Sequence, residues 1–511
     1  MFSKSYCALI HGMNARIVQA ESDVSEGMPV FQLVGYLGSQ VKEARERVRI
    51  AMKNTGYRLP VKKITVNLSP ADIRKEGTSF DLAIAVSILK SLHIIKGQES
   101  EKVLLSGELS LDGSIKPVNG ILPMVYEAKQ QGFSSCIVPE ENKEEGAMVE
   151  GICVYGARNL SEVVEHLNGN CLLEEMKIDR SELFRRRKEK EKVDFRDVAG
   201  QKLLKRAVEV AVAGKHNLLM AGPPGSGKTM LARRIPTIMP ELTFEEAMEI
   251  SKIYSISGLL NSKNSFITSR PFRAPHHTIT AAALLGGGMI PHPGEISFAS
   301  GGVLFLDELA EYKRDVIEVL RQPVEERKIT LSRLNTMYQF PASFMLVGAT
   351  NLCPCGFYPD KNRCHCTSQQ IIRYQNKISK AMLDRMDICA EAVKINYKEM
   401  RNNSNESSHT IRERVKEARE RQLFRYRGKG ICFNSQLSKT QMDSELKCGQ
   451  REQDFLKKMY ETMHLTARSY QSVLRVSRTI ADLDASEEIK LSHMEEAFFY
   501  RNFDSLLREE E

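Results

Sequence analysis

Two features that would mark a secreted or membrane protein are missing from this 511-residue sequence. The amino terminus, MFSKSYCALIHGMNARI, lacks the basic flank, apolar run and small-residue cleavage site of a secretory signal. The apolar stretch at 81–89 is followed at once by Lys90, and no stretch reaches the length of a membrane span. We therefore expect a cytoplasmic protein.

A strong excess of one charge sign is also missing. The 73 lysines and arginines exceed the 65 acidic residues by only +8, which permits a polyanionic partner without demonstrating one. Because cytoplasmic thiols are kept reduced, the eleven cysteines are not expected to form disulfides. A tight cluster of them therefore indicates metal binding or reactivity.

The chain is longer than one hydrophobic core usually serves, so several domains are expected. Residues 1–165 alternate β-like and helical runs, which predicts an α+β domain. Residues 166–197 are predicted to be a charged linker, and the dense charge of 172–197 is typical of a linker or an exposed helix. Residues 198–395 carry a glycine-rich loop in an α/β core, and residues 410–511 have the apolar spacing of a helical domain.

The glycine-rich loop lies in HNLLMAGPPGSGKTMLARRI (216–235), between an apolar strand and a helix, which is the context of a phosphate-binding loop. Its glycines let backbone N–H groups close around phosphate oxygens. Lys228 supplies a positive charge, and Thr229 offers a hydroxyl to Mg²⁺. The sequence thus predicts ATP and Mg²⁺ as cofactors, bound by Gly222, Pro223, Pro224, Gly225, Ser226, Gly227, Lys228 and Thr229.

Four further polar residues follow or precede apolar runs that predict strands of the same core. GGVLFLDELAEY (301–312) ends in Asp307, a ligand for hydrated Mg²⁺, and Glu308, which can polarise the attacking water. SFMLVGATN (343–351) ends in Asn351, which is expected at the edge of the sheet where ligands bind. Arg385 in KAMLDRMDI (380–388) stands between apolar positions, a pattern common at subunit faces. Glu308, Asn351 and Arg385 are therefore the predicted catalytic residues.

A cluster of four cysteines comes shortly after Asn351 and spans fourteen residues: Cys353, Cys355, Cys364 and Cys366. Four thiolates fit a tetrahedral structural Zn²⁺, although pairs of zinc ligands are usually separated by two to four residues and here by one. His365 lies inside the second pair and could compete as a ligand. Structural zinc and free thiols both remain open as interpretations.

Together these stretches resemble the AAA+ ATPases, specifically the magnesium-chelatase-like branch known as the YifB/ComM family. The resemblance rests on GPPGSGKTMLARR, on RPFRAPHHT and LLGGGMIPHPGEISFASGGVLFLDEL within 270–309, and on GATNLCPCG (348–356). It implies that Asn351 is the sensor 1 residue and Arg385 the arginine finger. It further implies that Arg468 is the sensor 2 arginine of the helical lid and contacts nucleotide, with Arg475 as the alternative.

The amino-terminal domain resembles the proteolytic domain of Lon. RKEGTSFDLAIAVSIL (74–89) matches the segment of the serine nucleophile, with Ser79 in that place. The segment that supplies the lysine base has Leu122 at the matching position. A serine without a base is a weak nucleophile, so we expect a non-proteolytic domain that serves binding or assembly.

The family resemblance implies a ring, expected to be a homohexamer, that moves along single-stranded or branched DNA. ERKITLSRLNTMYQFPASF (326–344) alternates with period two around a polar turn and predicts a β-hairpin, with Lys328 and Arg333 as candidate contacts to DNA phosphates. The leading hypothesis is a helicase similar to those that promote branch migration in homologous recombination and natural transformation. Two alternatives stay open, a chelatase-type ATPase that remodels a metal-insertion partner and an ATP-dependent Lon-like protease.

Overall fold

The computed structural model describes residues 1–96, 102–188, 193–261, 264–289, 291–333, 336–395, 405–446 and 448–506. Residues 189–192 of the predicted linker lie outside these ranges. None of the helices found in the described ranges combines the length and hydropathy needed to cross a membrane. The chain divides into two compact units, and the first unit gathers residues 1–186, 244–268 and 332–339.

The first unit is built on a mixed seven-stranded sheet in the order β3-β4-β2-β1-β5-β8-β9. The strands β1 and β2 form a long antiparallel hairpin, and β2 buries every second residue along most of its length because one face of the sheet covers the core. The strands of this sheet are β1 (Phe2–His11), β2 (Asn14–Ser25), β3 (Val30–Val34), β4 (Lys63–Ser69), β5 (Val103–Leu105), β8 (Ser135–Pro139) and β9 (Cys153–Ala157), while β6 (Glu108–Leu109) and β7 (Ile115–Lys116) pair separately.

Helices cover the sheet of the first unit. The helix α2 is apolar on all sides and lies in the middle of the core, where its one acidic residue, Asp81, is paired with Arg47 at 2.8 Å. The helices are α1 (Ser39–Asn54), α2 (Asp81–Ser91), α3 (Ile121–Gln130), α4 (Lys143–Gly146), α5 (Leu160–Leu167), α6 (Arg180–Lys188) and α10 (Phe244–Ile256).

In the sequence, the helix α10 lies between the glycine-rich loop and the stretch that ends in Asp307 and Glu308. It nevertheless packs in the first unit, against α3. The carbonyl oxygen of Ser255 accepts a bond from the backbone N–H of Gly120 at 3.1 Å. The hydroxyl of Ser255 donates to the buried carboxylate of Glu145 at 2.5 Å, and that carboxylate also accepts from the backbone N–H of Leu122 at 3.0 Å. Burial raises the pKa of Glu145, and these donors oppose the rise.

The second unit comprises residues 187–243, 269–331 and 340–511, and is built on a parallel five-stranded sheet in the order β11-β14-β17-β10-β18. The three central strands are buried along their whole length, as expected for a parallel sheet covered on both faces. The strands are β10 (Leu218–Ala221), β11 (Phe272–Arg273), β14 (Val303–Leu306), β17 (Met345–Thr350) and β18 (Ile388–Glu391).

Two short hairpins interrupt this α/β core. The strands β12 (Gly286–Gly287) and β13 (His292–Pro293) pair within the LLGGGMIPHPGEI stretch, and β15 (Lys328–Arg333) pairs with β16 (Thr336–Pro341) as the period-two pattern predicted. The helices around the core are α7 (Lys202–Gly214), α8 (Lys228–Ala232), α9 (Ile235–Ile238), α11 (Ala281–Leu285), α12 (Glu295–Phe298), α13 (Arg314–Glu318), α14 (Arg321–Glu326), α15 (Ser368–Gln375) and α16 (Lys380–Leu383).

The helical lid completes the second unit with α17 (Ser408–Arg425), α18 (Lys439–Glu445), α19 (Gln450–Thr462), α20 (Ala467–Leu483) and α21 (Leu491–Leu506). A buried charge network holds it together. Asp482 is fully buried and accepts from Arg425, from Arg478 at 3.2 Å and from Asn434 at 2.9 Å. The expected fold class, an α/β P-loop core with a helical lid and a preceding α+β module, is thereby confirmed.

Replacing Asp482 by Ala should destabilise the second unit by about 3 to 5 kcal/mol, because Arg478 would keep its charge in the core without a carboxylate partner. Calorimetry of the full-length protein measures the shift of the unfolding transition. Glu46→Ala is the control, since it removes an exposed pair with Arg49 and should cost less than about 1 kcal/mol. Equal shifts for the two variants would contradict the stabilising role of the network.

Candidate nucleotide site

The glycine-rich loop leaves the carboxyl end of β10 and enters α8, and its backbone geometry requires glycine. A Cβ atom on Gly222 would lie 2.3 Å from the carbonyl oxygen of Ala392, so a side chain there would collide with backbone. Gly225 and Gly227 have φ angles of +75° and +91°, which side chains disfavour. The loop therefore turns tightly enough for consecutive N–H groups to face one point.

The ammonium of Lys228 is held at the mouth of this loop by three oxygens. It donates to the carbonyls of Gly222 at 2.7 Å and Pro223 at 3.0 Å, and to the side-chain oxygen of Asn351 at 3.3 Å. Burial lowers the pKa of Lys228 to about 8, and the nearby Asp307 and Glu308 act in the opposite direction. The lysine and the predicted sensor asparagine thus meet at one place.

The two predicted Mg²⁺ ligands are in direct contact. The hydroxyl of Thr229 donates to a carboxylate oxygen of Asp307 at 2.7 Å, which brings together a hydroxyl and a carboxylate, the oxygen donors that suit Mg²⁺. Glu308 adopts a left-handed conformation with φ of +51°, and its half-exposed carboxylate lies 3.8 Å from Nδ1 of His277. The two adjacent acids thus have different partners, a hydroxyl for Asp307 and an imidazole for Glu308.

The segment that follows β11 was not predicted to be part of this site. It carries His277, and its Pro275 carbonyl accepts from the hydroxyl of Tyr312 at 2.5 Å. Burial and the carboxylates of Asp307 and Glu308 raise the pKa of that tyrosine. The sequence did contain one signal. Two adjacent histidines, of which His277 is the second, come shortly after a strand, and ligands of a parallel sheet bind beyond the carboxyl ends of its strands.

The two predicted arginines lie together at the opposite edge of the sheet. Arg385 and Arg468 both pair with one carboxylate oxygen of Glu325, at 2.5 Å and 2.8 Å. Arg385 lies just before β18, and its carbonyl accepts from Asn217, the residue just before β10. The arginines are thus at the amino ends of the strands, whereas the glycine loop follows the carboxyl end of β10.

The arginines line a cavity of about 430 Å³ in which positive charge exceeds negative charge. Burial lowers the pKa of Arg385 and of Arg475, and the charge of Arg468 adds to the effect in both cases. The charged lining residues are Lys215, Arg327, Arg385, Arg468, Arg475, Glu325, Asp384 and Asp387. Such a cavity is suited to an anion.

The four cysteines converge as their spacing predicted, with all four Sγ atoms within 4.8 Å of one another. The pairs among Cys353, Cys355 and Cys364 are 3.4, 3.7 and 3.6 Å apart. A Zn–S bond of about 2.3 Å implies a sulfur separation of about 3.8 Å in a tetrahedron, so the donor set fits Zn²⁺. A backbone N–H bond from Phe357 holds the pKa of Cys355 below its usual value.

The remaining predicted residues lie outside the nucleotide site. Lys328 and Arg333 are exposed at the two ends of β15. In the amino-terminal domain Ser79 is largely buried, while Leu122 is an apolar core residue in the first turn of α3. The position expected to hold a lysine base is therefore filled by hydrocarbon.

Sequence models of the magnesium chelatase family match three parts of the chain. The model described as "Magnesium chelatase, subunit ChlI" matches residues 194–400. Those described as "Subunit ChlI of Mg-chelatase" and "Magnesium chelatase, subunit ChlI C-terminal" match residues 20–142 and 405–501.

Two relatives match nearly the whole chain. Competence protein ComM of Haemophilus influenzae is 40% identical over 504 residues, which cover 97% of each chain. YifB of Escherichia coli is 39% identical over 499 residues, 97% of this chain and 96% of its own. Lon protease 2 of Bacillus subtilis is 29% identical over 130 residues, 25% of this chain and 23% of its own, and this similarity concerns the amino-terminal region.

ATP binding at pH 8 should take up about half a proton per site, because Lys228 is about half neutral there and phosphate favours its charged form. Affinity should accordingly fall as pH rises from 7 to 9. Calorimetric titration in two buffers of different ionisation enthalpy measures the uptake. Lys228→Arg, which stays charged over this range, should remove it. Constant affinity without proton uptake would contradict the shifted pKa.

Proposed function

Because this chain belongs to the ComM/YifB family of magnesium-chelatase-like AAA+ ATPases, we propose that it uses ATP hydrolysis to move along DNA and promote branch migration. The observation that carries the ATPase part is the bonded group formed by Lys228, Thr229, Asp307 and Asn351 at the carboxyl edge of the core sheet. A hexameric ring acting in homologous recombination and natural transformation is the biological setting that we propose.

In this proposal each residue of the site has one task in hydrolysis. Lys228 binds the terminal phosphates, and Thr229 and Asp307 hold Mg²⁺, which neutralises phosphate charge when bound. Glu308 accepts a proton from the attacking water, because its exposed carboxylate is free of the metal pair. Asn351 orients that water beside the last phosphate, since its amide already lies next to Lys228.

The positions of Arg385 and Arg468 support a site completed by a second copy of the chain. Both lie at the amino edge of the sheet, beside Asn217, and not where the glycine loop leaves β10. An arginine at that edge serves a nucleotide bound by the neighbouring subunit, where it stabilises transition-state charge. Glu325 keeps both guanidinium groups at the same point until a phosphate competes for them.

The exposed hairpin β15–β16 is the proposed contact with DNA. Lys328 and Arg333 are exposed at the two ends of β15. Six copies in a ring would present twelve charges to phosphates, which gives binding without sequence preference. The amino-terminal domain is proposed as a non-proteolytic platform for binding or assembly, since Leu122 leaves Ser79 without its base.

The four-cysteine cluster is proposed to hold one structural Zn²⁺. The proposed domain ranges remain 1–165, 166–197, 198–395 and 410–511.

A chelatase-type role with a metal-insertion partner is favoured by the description of the family models that match. The relatives that match over the whole length, however, are ComM and YifB.

Forked DNA should stimulate the ATPase and be unwound. Lys328→Ala/Arg333→Ala should weaken DNA binding and lower the salt slope by about 2 for each subunit that contacts DNA, because two phosphate contacts per chain are lost. ATP turnover without DNA should stay unchanged. Lys42→Ala/Arg45→Ala removes the same charge from an exposed helix and is the matched control. Loss of affinity in the control alone, or no stimulation of the wild type, would contradict the proposal.

Mixing Glu308→Gln protein with Arg385→Ala protein should restore ATP turnover that each lacks alone. Each intact site then combines Glu308 of one subunit with the arginine of its neighbour, so an equal mixture should reach about a quarter of the wild-type rate. Steady-state ATPase assays after subunit exchange measure this, and Arg468→Ala should be rescued in the same way. No rescue at any ratio would place the arginines and the nucleotide in one subunit.

A further inference from the structure

We infer that the cysteine loop, residues 352–366, is a metal-held wall of the ATP site, so that hydrolysis depends on a zinc ion that takes no part in the reaction. The inference rests on the proposed ATPase site and is independent of DNA. It combines two observations, a thiolate cage and a direct contact between this loop and the phosphate loop.

The four cysteine thiolates close the loop by bringing its two ends together. Residues 352–366 are all described, and none of them belongs to a helix or strand. The sulfur atoms come from both ends of this segment, and a backbone N–H from Tyr358 to Cys353 Sγ at 3.4 Å adds the kind of donor that stabilises thiolates. Because no helix or strand holds this segment, its conformation depends on a link between its two ends.

The contact with the phosphate loop is close enough to transmit a displacement. A Cβ atom on Gly356 would lie 2.6 Å from Cδ of Pro224, so the backbone of the cysteine loop lies directly against the GPPGSGKT turn. Gly356 has a φ of +80°, a conformation that favours glycine. The cysteine loop therefore limits where Pro224 can lie.

The loop also begins at the catalytic asparagine. Asn351 receives the bond from Lys228, and only Leu352 separates it from Cys353. The Leu352 carbonyl is tied to the side chain of Gln375 at 3.1 Å, and Cys353 is fully buried. A metal that fixes Cys353 thus fixes Asn351 two residues away. Loss of the metal would displace Asn351, which acts on water, more than it would displace the residues that bind phosphate.

The test uses the full-length protein without DNA and measures zinc content, ATP affinity and ATP turnover. Wild type should contain one zinc per chain. Cys364→Ser should lose it and lower kcat at least tenfold, with ATP affinity changed less than threefold. Cys171→Ser, which alters an exposed cysteine outside the cluster, is the matched control and should match wild type in all three measurements.

A second variant separates the metal from the contact. Gly356→Ala should keep one zinc per chain and still lower kcat, because its Cβ collides with Pro224. Gly428→Ala is its control, since Gly428 has a similar φ of +77° and no neighbour within 4 Å of an added Cβ. The unfolding transition measured by calorimetry shows whether both variants are folded.

Three results would overturn the inference: wild type that lacks metal at full activity, metal-free Cys364→Ser at the wild-type rate, or Gly356→Ala at the rate of Gly428→Ala. Absence of DNA stimulation would affect only the proposed translocase. Absence of any turnover in wild type would instead remove the ATPase on which both depend.

Discussion

All five strands of the core sheet run in one direction, and this constraint separates the side chains around the glycine loop from Arg385. Residues that follow a strand collect at the carboxyl edge, as Lys228, Asp307 and Asn351 do. Residues that precede a strand collect at the amino edge, as Arg385 does. A single parallel sheet therefore presents a nucleotide face and an arginine face, and in the proposed ring a second copy would bring one against the other.

The shared carboxylate of Glu325 makes the arginine face stable in a single chain. Two guanidinium groups close together repel, and burial makes their charge more costly. One carboxylate offsets only part of that charge, so the cavity keeps an excess of positive groups. In the proposed ring this residual charge is what a neighbouring phosphate neutralises, which links nucleotide occupancy to assembly.

Motifs with a fixed local geometry were predictable from the sequence, whereas contacts between distant segments were not. The order of strand, glycine loop and helix gave Lys228 and Thr229 directly, because backbone geometry dictates that pattern. The contact of Gly356 with Pro224 joins residues more than a hundred positions apart, and His277 is distant in the sequence from Glu308, beside which it lies. The position of α10 in the first unit likewise arises from packing that no local pattern encodes.

The amino-terminal domain illustrates how a catalytic position becomes a structural one. In a Lon-like peptidase the start of this helix would supply a lysine, but Leu122 contributes a buried side chain and a backbone N–H to Glu145. The same carboxylate accepts the hydroxyl of Ser255, so the helix end that would carry the base now holds α10. Restoring a lysine there would place a charge where the core has hydrocarbon. At this helix end, therefore, the packing of α10 against α3 occupies the place that the resemblance to Lon assigns to a base.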